Sequence, residues 1–318
     1  MHTLTTVDGA LVGPARSDPA SPLDDQAQVR YHRAVARLPW TQRHRRSVGL
    51  RDGEGQVLAR ADRVDLDVVL HGRTIRCCGL GNICEAQRGT GRHAAELVSR
   101  IADDEEASGV DAVLVSSAEP YWSLSDRFTA MVTHDVTLKV NESSRRGAPM
   151  LPARSGERSD LVHLASLQPI GVAGVRLARS AELIDFSITR HRLLAALSPA
   201  GSRHMHFLVA EEGMRAVAYV IITVTRDGWR LEECGDHDPT GARVGALLQV
   251  LLARETAERR PRITADLPSG FQPPQVSMGS PIAARPRLWL KVFGDDARTM
   301  AGPDARIAWW PGDPPGGM

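Results

Sequence analysis

Aromatic residues are scarce in this sequence, at 4% of 318 residues, and cysteine occurs only four times. Cys77 and Cys78 are adjacent while Cys84 and Cys234 stand apart, so no C-x-x-C pair or Cys/His ligand spacing occurs. That pattern excludes a zinc finger or ribbon, and no metal is expected. His204, His206 and His237 are read as solvated or core histidines rather than ligands. No apolar run reaches the roughly 20 residues needed to cross a bilayer, so no membrane association is expected. Residues 1–13 lack a basic start followed by an apolar stretch, which argues for a reduced, cytoplasmic setting without a secretory leader. Charge excess is missing too: 39 Lys and Arg against 38 Asp and Glu leave a net charge of +1. Such a balance gives no electrostatic footprint for nucleic acid or an anionic membrane. The short basic runs Arg43-His44-Arg45-Arg46 and Arg145-Arg146 read as solvated surface.

What is present is an ordinary globular composition, 42% hydrophobic and 24% charged, in a chain long enough for two domains. Residues 1–23 are rich in Gly, Pro, Ser and Asp and read as a tail. A helix is expected over 24–38, then short strands at 47–50 and 57–59 and longer ones at 64–70 and 74–84, with His71-Gly72 at the turn. Ala94, Leu97, Val98 and Ile101 then fall on one helical face, and Gly109 marks the stop. A compact apolar strand at 111–116 and one or two strands within 130–140 complete a unit spanning 24–140. Residues 141–160 are rich in charge, Pro and Gly and read as a linker.

Beyond the linker the pattern partly repeats over 161–295. Strands are expected at 207–210, 217–225 and 229–234, a helix at 241–258, and late strands at 263–267 and 288–293. Proline and glycine crowd 296–318, which reads as a second tail. Strands, a glycine-rich turn, a helix and a buried strand make an α/β (α+β) domain.

The chemistry concentrates at Arg88-Gly89-Thr90-Gly91-Arg92-His93, between a strand and an amphipathic helix. Glycines bring successive backbone N–H groups close to a ligand, and a helix N-terminus carries unpaired donors and partial positive charge. Together they suit a pyrophosphate, with Arg88 and Arg92 able to add contacts.

The segment from Asn82 through Gly91 resembles the strand-to-helix passage of the GNAT family of N-acetyltransferases, whose signature is Arg/Gln-x-x-Gly-x-Gly/Ala. Arg88 and Gly91 match it; His93 replaces the final small residue. The resemblance covers roughly 57–140. It implies that Asn82, Ile83 and Cys84 pair their backbone with the pantetheine arm of acetyl-CoA. It also implies that Arg88, Gly89, Thr90, Gly91, Arg92 and His93 cradle the pyrophosphate. Ser116-Ser117-Ala118-Glu119-Pro120-Tyr121-Trp122 resembles the place where the family presents a tyrosine, which makes Tyr121 the expected general acid for the departing thiolate. Glu85, Glu119 and His134 are the positional candidates for a base, and none is preferred. A Cys84 nucleophile lacks a placed histidine, so a buried thiol is the simpler reading.

Residues 229–251 again resemble a GNAT strand, turn and helix, with Asp238-Pro239-Thr240-Gly241-Ala242-Arg243-Val244-Gly245 at the loop. The leading Arg/Gln is missing, so this half is expected to be a degenerate second GNAT-like domain without ligand. The implied function is acetyl transfer from acetyl-CoA to a small or protein amine by direct attack. The rivals are a GNAT-fold transferase with another acyl donor, and a non-catalytic CoA-sensing or interaction module.

Overall fold

Alternation and turn chemistry dictate much of the architecture. Between Val64 and Leu70 every second residue is apolar, and Val64, Leu66, Val68 and Leu70 are all buried. The reversal that follows uses His71 at φ 46° and Gly72 at φ 86°, the pair of positive φ angles that a two-residue hairpin loop requires. Helix starts are capped by side chains: Asp24 accepts from the Ala27 amide at 2.7 Å and Ser180 from the Leu183 amide at 3.1 Å.

The computed structural model describes residues 2–6, 23–86, 91–117, 127–131, 135–140, 152–167, 174–256, 260–266, 273–279, 288–294, 307–310 and 313–315. The first half forms β1 (Thr3–Thr6), α1 (Asp25–Ala36), α2 (Pro39–His44), β2 (Arg45–Arg51), β3 (Val57–Leu70), β4 (Arg73–Glu85), α3 (Arg92–Ala107), β5 (Ala112–Ser116), β6 (Thr129–Met131) and β7 (Asp135–Val140). Then come β8 (Ala153–Ser155), α4 (Leu161–Leu164), β9 (Val175–Leu177), α5 (Ala181–Leu197), β10 (Arg203–Glu212), β11 (Arg215–Thr225) and β12 (Gly228–Asp236). The chain finishes with α6 (Ala242–Leu252), β13 (Ile263–Asp266), β14 (Val276–Met278), β15 (Leu288–Val292) and β16 (Ile307–Ala308). None of the described helices is long and apolar enough to cross a membrane.

Two mixed sheets repeat one plan. In the first, β2, β3 and β4 form an antiparallel meander, α3 crosses over, and β5 returns parallel to β4. In the second, β10, β11 and β12 form the meander, α6 crosses over, and β13 returns parallel to β12. The expected α/β fold with a repeated unit is what the chain forms.

The sheets do not part at residues 141–160, however, because each takes an interior strand from the other half. The first runs β1-β2-β3-β4-β5-β15-β6, with β9 also on β3 and β16 on β9; the second runs β14-β7-β13-β12-β11-β10-β8. Thus β7, from the first half, completes the second sheet, and β15, from the second half, completes the first.

Helix α3 packs Leu97, Val98 and Ile101 onto Leu80, Val113 and Val115, each such burial contributing about 1.5–3 kcal/mol. The other face of this sheet meets Tyr31, Phe186 and Trp309 through Val64, Leu66 and Leu114. On the second sheet α6 covers one face with Val244, Leu247, Leu248 and Leu251. The opposite face is covered by Leu164 of α4 and by Ile184 and Ile188 of α5. Because Leu183 and Phe186 of α5 belong to the first-sheet core, this helix is wedged between the two.

Candidate functional site

The ladder between β4 and β5 runs from Cys77–Ala112 to Leu80–Val115, while β4 itself continues to Glu85. On its other side β4 changes register against β3, from Asp62–Gly81 to Arg60–Cys84. Asn82 and Ile83 therefore stand opposite Ala61 alone, which is a β-bulge. Asn82 adopts φ 49° and its amide donates to the Asp62 carboxylate at 2.6 Å. Asp62 also accepts from Ser47 at 2.9 Å and from Arg45 at 2.5 Å. This cluster holds the bulge where β4 and β5 cease to pair. Arg60 donates through Nε to the Cys84 sulfur at 2.9 Å. Asn82, Ile83 and Cys84 thus lie on β4 beyond its ladder with β5.

The C-terminal segment reaches the same place. A Cβ at Gly81 would lie 2.3 Å from the Pro315 carbonyl oxygen, and one at Gly79 would lie 2.7 Å from Leu66 Cδ1. Glycine is needed at Gly81 so that this backbone can cross β4. Gly81→Ala is expected to release the segment, read as faster hydrogen–deuterium exchange of the amides at 308–310 and 313; wild-type protection would show that the contact does not hold it.

At the start of α3 Gly91 takes the N-cap position at φ 79° without a side-chain cap. The exposed helix end is served instead by Glu85, whose carboxylate accepts from the amides of His93 at 2.8 Å, Ala94 at 3.1 Å and Gly91 at 3.3 Å. A carboxylate there is favoured by the helix dipole. The sequence reading cast Glu85 as a candidate base; in the folded chain it caps the amides assigned to pyrophosphate. Arg92 is exposed, and His93 turns toward His2 with ring centroids 5.8 Å apart. Arg88, Gly89 and Thr90 lie outside the described residues, as do Tyr121, Glu119 and His134.

The second half repeats the arrangement. Gly241 sits at φ 72° before α6, and Asp236 accepts from the amides of Arg243 at 2.9 Å and Val244 at 3.2 Å. Burial pushes the Asp236 carboxyl up, against the pull of these amides and of the Arg243 guanidinium. A Cβ at Gly245 would meet Gln275 Oε1 at 2.1 Å, so the Gln275 side chain packs directly on α6.

A buried ionic cluster ties the C-terminal segment to both sheets, and sequence reasoning missed it. Arg179, just after β9, lies 2.7 Å from Asp313 and 3.4 Å from Glu233 on β12. Glu233 also accepts from Tyr219 at 2.6 Å and Ser187 at 3.0 Å. Asp313 in turn accepts from the Trp310 amide at 2.8 Å. Burial pushes the Asp313 carboxyl up to about 6, with Arg179 opposing and Glu233 adding to the shift. Burial works against the Arg179 charge as well, but Asp313 and Glu233 outweigh it. Residues 296–318 were expected as a loose tail, yet Trp309, Trp310 and Asp313 are buried. Likewise, within the expected tail 1–23, Thr3–Thr6 pairs with β2.

No family model matches the chain, and no curated protein matches it in sequence. Solved structures do match. A GCN5-related N-acetyltransferase from Kribbella flavida agrees with a TM-score of 0.63 at 16% identity, over 92% of this chain and 71% of that one. A second, from Anabaena variabilis, gives 0.60 at 12% identity, over 92% and 73% of the two chains. The chain therefore has the fold of the GCN5-related N-acetyltransferases. Eis1 from Mycobacterium abscessus shares it too, with a TM-score of 0.56 at 13% identity over 92% of this chain and 74% of that one.

Proposed function

We propose that the chain is an acyltransferase that moves an acetyl group from acetyl-CoA to an amine, on a small molecule or a protein, by direct attack. The observation that supports this most is the bulge at Asn82–Ile83, placed where the β4–β5 ladder ends and beside the Gly91 turn, within this fold. In this reading the backbone of Asn82, Ile83 and Cys84 pairs with the pantetheine arm. Arg88, Gly89, Thr90, Gly91, Arg92 and His93 hold the pyrophosphate. The amine lone pair attacks the thioester carbonyl, the C–S bond breaks and Tyr121 gives its proton to the thiolate, while the proton lost by the amine nitrogen passes through water and restores the phenol. Orientation and backbone polarisation of the carbonyl supply the rest.

Glu85 shapes the energetics of this proposal. Its carboxylate holds the amides of His93 and Ala94, so an incoming pyrophosphate must displace it. Two unit charges 4 Å apart near a protein surface repel by about 4 kcal/mol. Glu85→Ala is therefore expected to tighten acetyl-CoA binding at least about tenfold in isothermal titration, at one site per chain.

The same contact favours a second reading, a non-catalytic interaction module in which Glu85 caps α3 permanently. Glu85→Ala would then cost about 1 kcal/mol of stability and give no acetyl-CoA binding. That outcome would sink the acyltransferase proposal. Two equivalent sites per chain would instead remove the expectation that the second half is degenerate.

A further inference from the structure

We propose that His2, His93 and Glu96 form a binding site for a divalent transition-metal ion of the zinc or iron(II) class. One ligand atom from each of these residues lies within 4.8 Å of the others. Two imidazoles and one carboxylate, leaving positions open to water, are a donor set that such ions take readily.

The fold brings the three together. His93 and Glu96 stand three residues apart on α3, in its first turns, where residues of that spacing share a face. His2 arrives from the far end of the chain, 94 residues from Glu96. It is carried by β1, whose Thr3 pairs with Arg51 of β2. Its Nδ1 lies 3.0 Å and 3.1 Å from the two Glu96 oxygens. Arg100 fixes both partners from one side, donating to the His2 carbonyl at 2.5 Å and lying 2.8 Å from Glu96 Oε1.

A simple His2–Glu96 ion pair would account for part of this geometry but not for His93. Its Nδ1 is buried and has no hydrogen-bond partner among the described residues. A buried ring nitrogen without a partner is costly, and one of the two ring nitrogens of His93 lies within 4.8 Å of a ligand atom of His2 and of Glu96. An ion there would satisfy these groups together. Ligand atoms around a tetrahedral zinc lie about 3.3 Å apart, so binding would draw the three side chains closer together. Local Cys/His spacing could not reveal the site, because its ligands come from two distant segments. Bound there, the ion would clasp β1 to α3, whether or not the chain transfers an acyl group.

The test uses the full chain without an affinity tag, stripped with chelator and titrated with Zn²⁺ at neutral pH. Saturable binding at one site per chain is expected, with a rise in melting temperature that grows with free Zn²⁺. His93→Ala and Glu96→Gln should each weaken binding at least tenfold, while His204→Ala, at an exposed histidine outside the cluster, should not. Circular dichroism checks that the variants are folded. Co²⁺ bound to the unaltered chain gives an independent reading: d–d bands without a thiolate charge-transfer band are expected. The proposal is overturned by the absence of saturable binding, by a folded His93→Ala variant that binds as tightly as the parent, or by a thiolate band placing the ion at a cysteine.

Discussion

Arg179→Met is expected to destabilise the protein by about 3–5 kcal/mol, the usual cost of breaking a buried ion pair by removing one partner. The substitution keeps much of the side chain's apolar volume, so the loss is mainly electrostatic. Asp313 at 2.7 Å and Glu233 at 3.4 Å would keep their burial and lose their shared cation. Tyr219 and Ser187 would still donate to Glu233, but among the described residues Asp313 would retain only the Trp310 amide. Urea unfolding at neutral pH measures the effect, and a loss below about 1 kcal/mol would mean that the cluster is not the anchor argued here.

The pH dependence has a definite sign. Asp313 is pushed up to about 6 in the folded chain from an ordinary value of 3.8. Between those values the folded state holds a proton that the unfolded state has released. This group's contribution to stability therefore falls as pH rises from about 4 to 6 and levels off above. Without Arg179 the carboxyl shifts higher still, so the decline should extend to higher pH. Arg179→Met combined with Asp313→Asn should recover a large part of the loss.

Tyr121→Phe is expected to lower turnover by about a hundred- to ten-thousand-fold, the usual contribution of a general acid, with little change in the Michaelis constant for acetyl-CoA. The prediction belongs to the proposed acyl transfer and rests on the tyrosine's place shortly after β5, a strand whose Ala112, Val113, Leu114 and Val115 are all buried. Removing one hydroxyl keeps the ring, so folding stability should hold and the loss should appear in the chemical step. A phenol acts as an acid only while protonated, so the alkaline limb of the pH–rate profile should vanish with it. Wild-type turnover in the phenylalanine variant, with a good acceptor, would assign the proton to another group.

The parts of this fold that local patterning controls were legible in the sequence. The α3 stripe of Leu97, Val98 and Ile101 is buried as its spacing demands, and Gly109 follows the helix at φ 79°. Helix α5 was not legible, because Leu183 and Phe186 enter one core while Ile184 and Ile188 enter another. A helix buried on two sides shows no single apolar face. The exchange of β7 and β15 could not be read either, since strand pairing across such distances leaves no local mark. Around the candidate site the strand before residues 87–90 and the helix after Gly91 were visible. The capping role of Glu85 was not, although a helix start lacking an N-cap side chain, with an acidic residue six positions upstream, was the available signal. The aromatic anchors Trp309 and Trp310 were hidden by the Pro- and Gly-rich composition around them.

The exchanged strands also set a timetable for the nascent chain. β15 lies between β5 and β6, yet about 150 residues separate β6 and β7 from it in order of synthesis. At 5–20 residues per second, translation leaves the first sheet open for roughly 8–30 s. During that interval the edge of β5, and until β13 emerges also β7, await partners, and exposed edges of this kind invite pairing with other chains. Neither half can therefore finish on its own. A product ending before Leu288 would keep one sheet short of an interior strand, and a product starting after Val140 would lack one in the other.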